Sequence, residues 1–169
     1  SHPKGPNSPT KTDMAQQAED GTPWGICYLN DAAGHRPEVF FWGDSLPIAP
    51  YEGRVFRHGI ADCWALVRDW HRKEKGILLP LTPRDDEWWS LGQDIIMADK
   101  DSIPHIEVAP KDRQLGDVVL AKIGGAVINH TGVYMGNGTG LHHLSNRLSR
   151  VDVLGPRERF VIKTLRDKS

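Results

Sequence analysis

Hydrophobic positions in this chain come in short runs, broken by proline and glycine, and their period changes along the sequence. Thr10 and Asp13 have the spacing of a capping box, which predicts a short helix near residues 11–19. Two strand-like runs follow, near 24–29 and 38–42. The second, Val39-Phe40-Phe41-Trp42, has the aromatic and β-branched content of strands. Residues 43–52 carry two prolines and no period, which marks a linker or boundary and divides the chain into 1–48 and 49–169. Beyond it, Cys63, Leu66, Val67 and Trp70 recur at i, i+3, i+4 and i+7, one face of a helix that Gly76 ends. A second helix is expected near 86–98, carrying Trp88, Leu91, Ile95 and Ile96. The remainder reads as strands near 117–123, 129–135, 140–145 and 158–164. One main helix against an antiparallel sheet is an α+β arrangement, with a smaller N-terminal α/β segment attached.

Composition narrows the possibilities. The 169 residues are 38% hydrophobic and 25% charged, as in a folded chain. A formal net charge of −1 supplies no field to attract nucleic acid or an anionic membrane. Apolar runs such as Val118-Val119-Leu120-Ala121 fall far short of the ~20 residues a membrane span requires. No basic-plus-apolar leader opens the sequence, so action outside a cytoplasm calls for another means of delivery.

The two cysteines make neither a disulfide framework nor a zinc knuckle. Cys27, within Trp24-Gly25-Ile26-Cys27-Tyr28-Leu29, reads as a small buried core residue. Cys63 follows Asp62, a good N-cap, which places it in the first turn of its helix. There the free N–H groups and the dipole favour a thiolate, and a nearby imidazole can complete the activation as ion pair or general base. From spacing alone the reading of Cys63 as a core residue beside Leu66 and Val67 stands ahead of the nucleophile.

Among the eight histidines, His130 heads a strand, and His142 and His143 lie on the next. A two-residue Asn137-Gly138 turn pairs Gly136 with Thr139 and puts His143 on the face of His130. A three-residue loop over residues 135–137 puts His142 there instead. His58, His71 and His105 read as surface groups, and Arg84-Asp85-Asp86-Glu87 as a solvated loop or helix start. Trp88-Trp89 reads as a pair with one ring in the core. Gly136-Asn137-Gly138-Thr139-Gly140 is a turn, because no strand–glycine–helix context makes it a phosphate loop.

Three segments together carry a resemblance. Asp62-Cys63-Trp64-Ala65-Leu66-Val67, Leu115-Gly116-Asp117-Val118-Val119 and Asn129-His130-Thr131-Gly132-Val133-Tyr134-Met135-Gly136 resemble, in order and spacing, the signatures of the NlpC and P-sixty family of papain-like cysteine peptidases. Within it, Gly53-Arg54-Val55-Phe56-Arg57-His58-Gly59, Asp85-Asp86-Glu87-Trp88-Trp89 and Leu141-His142-His143 resemble the peptidase domain of lambda-like phage tail tip assembly proteins. The resemblance implies Cys63 as nucleophile, His130 as base and His142 as the third residue. It implies Asp62, Phe56 and Tyr51 as residues shaping the site or its oxyanion hole, with Phe56 at a position where relatives often carry tyrosine.

The implied activity is hydrolysis of peptidoglycan stem peptides between D-glutamate and a diamino acid, without cofactor. The implied setting is a virion tail tip, made in the host cytoplasm and acting at the cell wall in the periplasm, with other tail tip proteins as partners. A purely structural tail component and an amidase or acyltransferase on the same fold are the alternatives. Ser1-His2-Pro3, Thr10 and Asp13 also resemble the end of the JAMM metalloprotease motif. His2 and Asp13 match two of its zinc ligands; a zinc hydrolase needs three plus water, so no working metal site is expected.

Overall fold

A computed structural model describes residues 8–30, 34, 36–98 and 105–168. Helix α1 (Lys11–Asp20) starts at the capping box: the Thr10 hydroxyl accepts from the Asp13 N–H, and Asp13 accepts from the Thr10 N–H. Gly21, left-handed at φ 73°, ends it. Strands β1 (Trp24–Asn30) and β2 (Arg36–Trp42) pair as an antiparallel hairpin. Its inner face holds Ile26, Tyr28, Phe40 and Trp42, with Ile60 packed against them. Because side chains alternate along β1, burying Ile26 and Tyr28 turns Cys27 outward. It is exposed, not the core residue the apolar run suggested.

Helix α2 (Cys63–Lys75) runs between an Asp62 N-cap and a left-handed Gly76. Its apolar face buries Leu66, Val67 and Trp70 against Val133 and Leu141, as its period predicts. The expected helix over 86–98 is broken. Glu87 and Gly92 both take left-handed conformations, leaving a 3-10 turn at Trp88–Leu91 and a four-residue α3 (Ile95–Ala98).

The sheet comprises β3 (His105–Glu107), β4 (Val118–Ala121), β5 (His130–Gly136), β6 (Thr139–His142), β7 (Arg150–Val153) and β8 (Val161–Asp167). Its order is β3-β8-β4-β5-β6-β7, antiparallel throughout. The strand expected near 158–164 begins later, because Gly155–Phe160 form a 3-10 turn with a proline in its first turn. Helix α2 against this sheet gives the α+β class.

The β5–β6 register resolves the two hairpin alternatives by using part of each. Asn137 (φ 51°) and Gly138 (φ 70°) form the two-residue turn, with Gly136 paired to Thr139. A bulge at Met135 then shifts the ladder by one residue, so Tyr134 pairs with Gly140 and Gly132 with His142. One extra residue reverses the parity of everything beyond it. His142 therefore joins the face of His130, although the Asn-Gly turn alone put His143 there.

Candidate active site

Cys63 occupies the first position of α2, and what fixes it is Asp62. One carboxylate oxygen of Asp62 accepts the N–H groups of Trp64 (3.1 Å) and Ala65 (3.0 Å); the other accepts that of Gly59 at 2.7 Å. Arg84 donates to that second oxygen in a pair with both side chains buried. Burial pushes the Asp62 carboxyl up, but Arg84 and the Ala65 and Gly59 N–H groups outweigh it and hold it below the usual carboxylate range. The run containing Arg84 is thus not simply a solvated loop: Asp85, Asp86 and Glu87 are exposed while Arg84 is buried. Arg84 also donates to the Thr82 carbonyl.

Half-buried Cys63 lines a cleft of about 240 Å³. Phe56, Asp62, Trp88, Trp89, His130 and His143 line the same cleft. Burial pushes the Cys63 thiol up, and the Asp62 charge adds to that. Arg84, the Thr131 N–H and the Thr131 hydroxyl act in the opposite direction. Thr131, on β5 beside His130, is fully buried.

His130 and His142 meet edge to face, with His130 Nε2 3.1 Å from His142 Nδ1. Burial drives the His130 pKa down to about 3, with the His142 ring contributing next. His142 stands behind His130 rather than in the cleft. It lines an apolar cavity of about 180 Å³ with Leu154 and Phe160, and its Nε2 lies 3.1 Å from Asp152 Oδ2. Arg150 and Arg157 converge on the same Asp152 oxygen at 2.8 and 3.0 Å. Gly140 is the cross-strand partner of Asp152, so no side chain stands between Asp152 and His142. Asp152 escaped the sequence reading because Arg150–Val153 is a largely exposed edge strand with no motif.

Not all the implied residues converge. Tyr51 packs against the α2 core and donates its hydroxyl to Glu74 at 2.8 Å, far along the helix from Cys63. Burial and Glu74 raise its pKa, and it does not line the cleft. Phe56 does, by standing edge-on to His143, ring centroids 5.2 Å apart. His143 lies just past the end of β6, where strand alternation no longer binds it. It faces the cleft rather than away, and its Nε2–H donates to the Arg147 carbonyl at 3.2 Å.

Two histidines that read as surface groups are buried because each finds a carbonyl: His58 donates to Arg84 and His71 to Val67. Trp88 is buried and Trp89 half-buried, as the pair predicted. Of the two residues matched to zinc ligands, His2 lies outside the described residues. Asp13 is engaged in the α1 capping box. Among the described residues no three His, Cys, Asp or Glu side chains gather as metal ligands.

The NlpC/P60 family model matches residues 40–166, from within β2 to β8. Tail tip assembly protein K of Escherichia phage lambda is 31% identical over 163 residues, covering 96% of this chain and 73% of that protein. Tail tip assembly protein K of Escherichia phage N15 is 29% identical over 154 residues, covering 89% of this chain and 60% of that protein. A thiol at a capped helix start, a strand histidine sharing its cleft and a second histidine behind the first are thus found in a chain that belongs to the NlpC/P60 family.

Proposed function

We propose that this chain is a cysteine endopeptidase of a phage tail tip, cutting peptidoglycan stem peptides between D-glutamate and a diamino acid. The observation that carries the reading is the convergence of Cys63 and His130 on one cleft, with His142 against His130 from behind. Burial raises the thiol and depresses His130, so the resting pair is neutral thiol and neutral imidazole. His130 then acts as a general base, and charge separates only as the reaction begins.

Cys63 Sγ attacks the scissile carbonyl carbon while its proton passes to His130. The carbonyl oxygen becomes an oxyanion, to which the Cys63 N–H can donate, since a first-turn N–H has no acceptor within its helix. His130 returns the proton to the leaving amine, the C–N bond breaks, and a thioester remains. Water, deprotonated by His130, attacks the thioester carbonyl; the C–S bond breaks, the new carboxylic acid leaves, and His130 returns the proton to the sulfur to restore the thiol. Phe56, Trp88 and Trp89 give the cleft walls that shed water around the developing charge.

The test is release of soluble peptides from purified peptidoglycan. Wild type is expected to release them, and Cys63→Ala to reduce release at least about 10³-fold, the scale on which removing a triad member acts. Mass spectrometry separates endopeptidase products from the free lactyl ends an amidase would leave. Equal, null release by both proteins sinks the reading.

The names of the phage lambda and N15 relatives favour a second role, in tail tip assembly. Virions that assemble with Cys63→Ala but fail to infect would assign both roles to one chain. Failure to assemble would place the structural role at the cysteine itself.

A further inference from the structure

An imidazole that orients another imidazole must have its own proton placed, or it will accept and donate at random. The chain Asp152–His142–His130 supplies that placement. Asp152 Oδ2 faces His142 Nε2 at 3.1 Å, and the same oxygen meets Arg150 and Arg157. Its pKa is raised by burial, but His142 and Arg150 bring it below the usual carboxylate range. An ionised carboxylate only accepts. His142 must therefore carry its hydrogen on Nε2, which leaves Nδ1 bare. His142 Nδ1 lies 3.1 Å from His130 Nε2, so His130 must donate there and carry its own hydrogen on Nε2. The nitrogen left bare on His130 is Nδ1, so the ring is free to accept a proton there.

We infer that Asp152 is a positioning residue that sets the tautomers of both active-site histidines through a relay of two hydrogen bonds. Its geometry stands on the distances above; its consequence for hydrolysis rests on the proposed peptidase reading. The two arginines matter in the same way. With Asp152 removed, their guanidiniums, which can only donate, face His142 and favour a bare Nε2, the reversed arrangement. Asp152→Asn, by contrast, is surrounded only by donors. Its amide oxygen takes the place of Oδ2 and keeps the relay.

Long-range proton–nitrogen correlation spectra of the full chain with ¹⁵N-labelled histidine read the tautomers directly. Wild type and Asp152→Asn are expected to show Nε2–H on both His130 and His142. Asp152→Ala is expected to gain a population with His142 protonated at Nδ1. On peptidoglycan, Asp152→Ala should lower kcat about 10–100-fold with KM within about twofold, the range for hydrogen-bonding partners that orient an imidazole from behind at metal sites. A wild-type His142 protonated at Nδ1 overturns the inference even if Asp152→Ala does not fold. Unchanged tautomers in a folded Asp152→Ala overturn it too, since a structural role alone lowers stability without moving them. If wild type hydrolyses nothing, the peptidase reading fails, and the spectra still decide the relay.

Discussion

At the scale of single residues the site is organised around a buried negative charge placed next to the thiol proposed as the nucleophile. Asp62 is costly in that position, because its charge raises the Cys63 thiol. It is retained because it caps α2 and binds Gly59, fixing both sides of the cysteine at once. Arg84 offsets the charge. Removing one partner of a buried pair is expected to cost more than removing both. Asp62→Ala should therefore lose about 3–5 kcal/mol, from the stranded guanidinium together with the lost cap. Asp62→Ala with Arg84→Met should recover part of that loss. Urea unfolding of the two variants measures the difference. A loss under about 1 kcal/mol for Asp62→Ala alone would show that the carboxylate is not what holds the helix start.

At the scale of elements, the lesson lies in the β5–β6 hairpin. Its turn was legible from Asn137-Gly138, and its histidines from their strand positions. The register was not, because a single unpaired Met135 inverts which of two adjacent histidines faces His130, and nothing local in the sequence marks a bulge. His142 meets His130 through that bulge and not through a three-residue loop. Helix α2 was legible in full, since cap, apolar face and terminal glycine agree. The break at Glu87 and Gly92 was not, since Trp88, Leu91, Ile95 and Ile96 keep a helical period across it. Arg84 was missed because its partner Asp62 lies 22 residues away, and Asp152 because it sits on a largely exposed edge strand. Gly132 shows what the register requires. It pairs with His142, and a Cβ there would stand 2.8 Å from the Leu141 carbonyl oxygen and 3.3 Å from the His142 Cβ. Backbone cannot yield as a side-chain tip can. Gly132→Ala should cost about 1–3 kcal/mol by overpacking and should weaken the His130–His142 contact. A thermal melt together with a peptide-release assay checks this: a variant with wild-type stability and rate would mean the strands separate there without consequence.

At the scale of the whole molecule, helix α1 and the β1–β2 hairpin meet the segment that leads into α2. Met14 is fully buried against Gly59, and Arg57 lies over the Phe40 ring at 4.3 Å. Both contacts fall on the residues that lead into Asp62, so the stability of the site and of the fold are measured together. A second feature spans the molecule. His71, His130, His142 and His143 are all depressed in pKa, each with burial as the largest cause. For a histidine whose folded pKa is lowered, the unfolded chain binds the proton first as pH falls. The associated stability is fully present above the unfolded value of about 6.5 and is lost as pH falls toward the folded values, about 3 in the case of His130. Asp62 adds a loss of the same sign at lower pH, where its unfolded carboxyl begins to protonate. The urea midpoint should therefore hold steady from pH 8 to about 6.5 and fall continuously below it. His71, two turns along α2 from Cys63 and itself lining the cleft, contributes to that slope, so His71→Gln should reduce it. A midpoint that stays flat from pH 7 to 5 would mean these rings take up protons in the folded state as readily as in the unfolded one. The neutral imidazole assigned to His130 would then be wrong.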